Sequence, residues 1–295
     1  MKMMITDSGL GGLSVCAGLE QAITRDVPDS EIELLYVNAT PDDRLGYNSL
    51  KTQAERITLF NRFLTASYER FAPDEIAIAC NTLSVIYADT EFAKQELVKV
   101  RGIVDAGVTQ CNTAIERGSD HSLIIFATET TVEADTYSRS INARSAKIVS
   151  QSCPGLAHAI SNDASGTACR DLLDGYVDQA LAHFDHHPVS LHAFLGCTHY
   201  GYQTQVFREC FKQRGIQVQI LNPNDLLVRQ LLTESLPRQT GPAETLTIKF
   251  ISRYQIPPVE IESMKAYLKN TAPLTFTALL DQEVIPELFG ASWNF

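Results

Sequence analysis

Two cysteines in this 295-residue chain are set apart by what surrounds them. Cys80 ends the apolar segment 75–79 and is followed by Asn81 and Thr82; Cys197 ends the apolar segment 191–196 and is followed by Thr198 and His199. Each segment reads as a buried strand that delivers a thiol to its C-terminal end, where open α/β sheets bind ligands. A thiolate at a helix N-terminus has a lowered pKa and is the reactive form. His199, two residues beyond Cys197, is placed to hold or remove the thiol proton. Two related segments, each offering one thiol, point to a site between two domains. Cys16, Cys111, Cys169 and Cys210 fall within helical patterns and read as small buried hydrophobes. Cys153, before Pro154 and Gly155, has no acid–base neighbour in sequence.

A third segment, Asp7-Ser8-Gly9-Leu10-Gly11-Gly12-Leu13-Ser14, links a short apolar start to a helical stretch over 15–23. Glycines at such a junction let backbone approach a ligand, and a helix N-terminus offers free N–H groups to an anion. The third glycine of a dinucleotide fingerprint would fall at Ser14, and no Gly-Lys-Ser/Thr follows, so neither common nucleotide motif is present. Taken alone, the segment reads as a tight strand-to-helix turn. His183, His186 and His187 lie in a polar stretch without matching carboxylates and read as surface residues, so no metal site is expected.

These residues need elements to carry them. Strand patterns over 32–37, 75–79, 99–104, 122–127, 147–150, 191–195, 218–221 and 247–251 alternate with amphipathic stretches such as 49–70 and 165–184. Strand and helix in alternation predict parallel sheets covered by helices on both faces. Lys plus Arg number 24 against 35 Asp plus Glu, a net charge of -11. That disfavours a nucleic-acid binder or a partner of anionic membrane. No apolar stretch approaches the roughly 20 residues needed to span a bilayer, and the start lacks the apolar core of a secretory signal. Seven cysteines without a Cys-x-x-Cys pair argue against a zinc cluster or a disulfide framework and point to a reducing cytoplasm.

The three motifs together, in this order, resemble the glutamate racemase family over roughly residues 1–270. Weaker matches lie at Leu45-Gly46-Tyr47-Asn48, where the family usually has Pro-Tyr-Gly, at Thr128-Glu129-Thr130-Thr131-Val132, and at Cys153-Pro154. Gly46 and Asn48 replace the family's Pro and Gly, and Ser161 stands where the family has a glutamate. The resemblance implies two similar α/β domains with mainly parallel sheets and a site at their interface. The first would comprise 1–104 and 218–295, with a C-terminal extension from about 273, and the second 105–217.

It further implies cofactor-independent interconversion of L- and D-glutamate in the cytoplasm, supplying peptidoglycan synthesis. Cys80 and Cys197 would be the paired acid–base groups, with Asp7 and His199 assisting them. Ser8, Tyr47, Asn48, Asn81, Thr82, Thr131 and Thr198 would hold the substrate through neutral donors. The expected partners are the amino acid and a second copy of the chain. Aspartate is the alternative substrate, and a racemase-like binding or regulatory protein is the alternative from another class. The tail carries Phe276, Leu279, Leu280, Ile285, Leu288, Phe289, Trp293 and Phe295, too apolar to stay solvated. It is expected to pack on the first domain or on a partner subunit.

Overall fold

The computed structural model describes residues 1–25, 31–43, 46–116, 121–142, 146–163, 167–186, 188, 190–236 and 245–290. Leu45, Ser165, His187, Trp293 and Phe295 lie outside the described residues. Among the described residues ten strands form two sheets: β1 (Lys2–Asp7), β2 (Ile32–Asn38), β3 (Glu75–Ile78), β4 (Lys99–Gly102), β5 (His121–Ala127), β6 (Lys147–Ser152), β7 (Ser190–Gly196), β8 (Val218–Leu221), β9 (Leu246–Ser252) and β10 (Glu283–Val284). The first sheet runs β10-β9-β2-β1-β3-β4 and the second β6-β5-β7-β8. Every pairing is parallel. The expected α/β class with two parallel sheets is the observed one.

Parallel strands covered on both faces read as continuous apolar runs, not as alternating ones. β1 is the clearest case: Met3, Met4 and Ile5 are fully buried. The sequence reading treated it only as an apolar start, yet it is a central strand, in register with β2 (Asp7 opposite Asn38) and β3 (Thr6 opposite Ile78). The chain reverses its direction of travel across the sheet at β1, and again across the second sheet at β5. Ligands of open α/β sheets bind at such switch points, beyond the carboxyl ends of the strands. Asp7 and Cys80 flank the first, and Thr128 and Cys197 flank the second.

The return of the chain to the first unit departs from the expected boundary at 218. β8 pairs with β7, placing 218–221 in the second sheet, and Leu221 joins that sheet's core. The crossing comes later, through the helix Pro223–Glu234, whose Leu227 and Leu231 pack in the first core. The helix Ile103–Glu116 likewise bridges both units. Ile103 and Ala106 belong to the first core, Cys111 and Ile115 to the second.

The C-terminal segment lies on the first sheet. The helix Pro273–Leu280 packs against β9, β10 extends the sheet edge, and Phe289 sits 5.4 Å from Phe63 between ring centroids. Buried Glu20 anchors it, accepting the N–H groups of Leu274 (2.9 Å) and Thr275 (2.7 Å) and the Thr275 hydroxyl (2.7 Å). A carboxylate there satisfies donors that a helix start leaves open.

Candidate active site

Asp7 closes β1 and is 1% exposed. Its Oδ2 accepts a hydrogen bond of 2.7 Å from the Thr198 hydroxyl, which comes from the other sheet. Burial raises the Asp7 carboxyl to about 7, against the pull of hydrogen bonds from Thr198, the Gly12 N–H, the Cys80 thiol and the Ser8 N–H. Cys80 immediately follows β3, with its sulfur 3.2 Å from Ser8 Oγ. Burial first, then the neighbouring Asp7 charge, push the Cys80 thiol up to about 12.

Cys197 follows β7 and precedes the short turn Thr198–Gln203. Its sulfur lies 3.8 Å from Nδ1 of His199. Burial and the Asp7 charge hold the Cys197 thiol well above its usual range, and burial lowers His199 to about 4, leaving a neutral imidazole. The lowered thiol pKa expected at these two positions is not found: both thiols are raised. Desolvation disfavours each charged form, and among the described residues no cation offsets it at either sulfur.

The glycine segment approaches protein, not solvent. A Cβ on Gly11 would stand 2.4 Å from Thr198 Oγ1 and 2.5 Å from His199 Nδ1. Only glycine lets the first motif press against the third. The Tyr202 hydroxyl also reaches the Leu10 carbonyl, at 3.3 Å.

Between the sheets lies a cleft of about 430 Å³. Ser8, Tyr47, Asn48 and His199 line it, with Asn48 exposed on its rim. Asp7, Cys80, Asn81, Thr82, Thr131, Cys197 and Thr198 are buried and are not among the residues that line it. Thr82 and Thr128 hydroxyls are 2.9 Å apart, and Thr128 and Thr131 are 3.0 Å apart, a chain of hydroxyls crossing from one unit to the other. Tyr137 donates to Asn81 Oδ1 at 2.5 Å. Among the described residues the Asn81 amide Nδ2 and the Tyr47 hydroxyl are buried without hydrogen-bond partners, and burial raises the Tyr47 hydroxyl well above its usual range. Buried unpartnered polar groups are costly.

The sequence reading placed Thr128 in a motif but gave it no role, and it did not single out Asn224, Tyr137, Asp42, Asp43 or Glu260. The four carboxylates Asp42, Asp43, Glu129 and Glu260 all line the cleft. They stand beside the neutral donors expected to hold the substrate. Thr128 was findable as a polar residue ending an apolar strand; the others carry no local signal. Among the described residues no group of three His, Cys, Asp or Glu is placed to hold a metal ion, and no helix is long and apolar enough to cross a membrane.

No protein-family model matches the chain. A glutamate racemase from Sulfurovum sp. (strain NBC37-1) is 26% identical over 242 residues, covering 79% of this chain and 82% of that protein. The chain is similar to the glutamate racemases. Solved glutamate racemases share its fold. One from Bacillus anthracis aligns with a TM-score of 0.67 at 19% identity, covering 90% of this chain and 93% of that one. One from Francisella tularensis, in complex with D-glutamate, aligns at 0.67 and 20% identity over 91% and 93%. The glutamate racemase resemblance read from the three motifs is borne out, and with it the enzyme class, a racemase-type isomerase.

Proposed function

We propose that this protein is a cofactor-independent amino-acid racemase that interconverts L- and D-glutamate through Cys80 and Cys197. The observation that supports the reading is the Asp7–Thr198 contact, which ties the end of β1 to the turn after β7, next to the two buried thiols that follow β3 and β7. Its relatives supply the substrate, and the D-glutamate formed would enter peptidoglycan synthesis in the cytoplasm.

Racemisation takes a proton from one face of the α-carbon and returns one to the other. A thiolate on one side removes the α-proton, forming S–H as Cα–H breaks. The thiol opposite then gives its proton to the α-carbon, leaving itself as thiolate for the reverse cycle. A strongly basic sulfur suits this task, because the α-C–H is a very weak acid and transfer improves as the two pKa values approach. Burial supplies that basicity here. The substrate ammonium is the opposite charge that stabilises a thiolate on binding. Asp7, raised to about 7 beside Cys80, and neutral His199, beside Cys197, would relay the thiol protons. The Asn81 amide and Tyr47 hydroxyl are free to bind carboxylate, and fixed neutral dipoles stabilise the carbanion as its charge develops.

The test is α-proton exchange in D₂O with resolution of enantiomers, run on L- and D-glutamate and aspartate. Cys80→Ser and Cys197→Ser should each lose most racemisation in both directions. With an analogue bearing a β leaving group, each variant should still eliminate from one enantiomer, opposite in the two. Equal losses with both enantiomers in both variants, with the fold intact, would sink the opposed-thiol mechanism.

A further inference from the structure

Thr198 is held at two points. Its hydroxyl donates to Asp7, and its carbonyl accepts a hydrogen bond of 3.1 Å from Nδ2 of Asn224. The same amide donates to Ser14 Oγ at 2.7 Å. The Ser14 proton is already given to the Gly11 carbonyl at 2.8 Å, so its oxygen is the acceptor, which orients the Asn224 amide. Both N–H bonds of that amide are thus spent on two motifs that come from different sheets. Asn224 is 2% exposed and sits in the first turn of the helix Pro223–Glu234, where Asn222 Oδ1 accepts its backbone N–H. A side chain on Gly201 would press on it, with a Cβ 3.0 Å from the Asn224 Nδ2.

These contacts close a ring. It runs from Asp7 through the glycine segment to Gly11, Ser14 and Asn224, then through Thr198 back to Asp7. Ser8, inside the ring, touches the Cys80 sulfur, and Cys197 precedes Thr198 directly. Two thiols on separate sheets have no covalent reason to keep a fixed separation, and the ring supplies a mechanical one.

We propose that Asn224 is a positioning residue that sets the separation of Cys80 and Cys197 by locking the Thr198 backbone to the glycine segment. The inference rests on the two-thiol reading above and adds a residue that never meets the substrate. It makes a distinctive claim about chemistry. Removing the α-proton needs one sulfur in place, whereas inversion needs the second sulfur in place at the same moment. When the ring is loosened, the first sulfur still forms S–H, trades that proton for a solvent deuteron and returns it to the same face. Exchange without inversion results, and the atoms balance with solvent as the only deuteron source. A general loss of folded protein would lower both rates together.

The experiment follows exchange and inversion simultaneously in D₂O for the wild type, Asn224→Ala and Ser14→Ala, together with crystal structures of the first two. In Asn224→Ala, inversion should fall at least about 10-fold more than exchange, since displacements near 1 Å at a reacting centre cost up to about 100-fold. Ser14→Ala keeps the Thr198 contact and should shift the ratio in the same direction by less; it also serves if Asn224→Ala does not fold. The sulfur–sulfur separation should differ between wild-type and Asn224→Ala crystals. Proportional losses of exchange and inversion, or an unchanged sulfur–sulfur separation, would overturn the proposal. A wild type that exchanges no α-proton with any amino acid overturns the racemase reading instead, and the separation in the two crystals still decides the role of Asn224.

Discussion

The Thr198 hydroxyl reaches Asp7 Oδ2 across 2.7 Å, joining residues 191 positions apart in sequence and carried by different sheets. The bond lies beside both thiols, and the Asp7 charge bears on each of them. It also gives Asp7 a measurable signature in stability.

Asp7 binds its proton up to about pH 7 in the folded chain, while an unfolded Asp releases it near 3.9. Its folded pKa is raised, so the stability it contributes is full below about pH 4 and is lost as pH rises to about 7. At about 1.4 kcal/mol per unit, the loss across that window is on the order of 4 kcal/mol. Asp7→Asn removes this slope. Urea denaturation at pH 4.5 and 7.5 should show the variant gaining on the wild type at the higher pH; parallel profiles would exclude the perturbed carboxyl.

Gly11→Ala puts a methyl 2.4 Å from Thr198 Oγ1 and 2.5 Å from His199 Nδ1, so the interface must open. Overpacking of this kind costs about 1–3 kcal/mol, and a shift of the third motif should cost about 100-fold in turnover. Gly175→Ala, where an added methyl meets nothing within 4 Å, is the control, expected to be neutral or stabilising by up to about 1 kcal/mol. Racemisation rates and melting temperatures of the two variants check the contrast.

Glu129 and Glu260 line the cleft, and neither pairs with a cation among the described residues. Burial, then the neighbouring Asp43 charge, push the Glu260 carboxyl above its usual range. An anionic substrate must enter past these charges. Glu260→Gln and Glu129→Gln should each lower the KM for glutamate about 3-fold, with kcat little changed, and the gain should shrink as salt screens the field. A raised KM in both variants would show that the carboxylates assist binding.

Glu20→Ala removes three hydrogen bonds that hold the start of the helix Pro273–Leu280. The buried Thr275 N–H is then left without its acceptor, at a cost of about 1–3 kcal/mol. Truncation before Pro273 should destabilise further by uncovering Phe63 and its neighbours. Differential scanning calorimetry of both variants decides it, and unchanged melting would mean the segment is not anchored as described.

The order of strands and helices was legible along the chain because buried parallel strands are unbroken apolar runs and their covering helices are amphipathic. That pattern alone located Cys80 and Cys197 at strand ends and the glycine segment at a strand-to-helix turn. Its limits show at β1 and β8. The apolar start of the chain does not reveal that it becomes the centre of a sheet, and 218–221 has a strand pattern that fits either sheet until β7 accepts it.

By itself, then, the sequence determined the fold class, the two thiols, the polar residues beside them and the likeness to racemases, because each is written in local pattern or local identity. Only the tertiary structure decided how those groups behave. Burial raises both thiols and Asp7 and keeps His199 neutral, and burial is a property of everything packed around a group. Thr198 turns toward Asp7, Asn224 ties two motifs 210 and 26 residues away, and Glu260 joins Asp43 at the cleft. Such contacts arise where chain ends of different sheets meet, and no spacing along the chain records which ends will face each other.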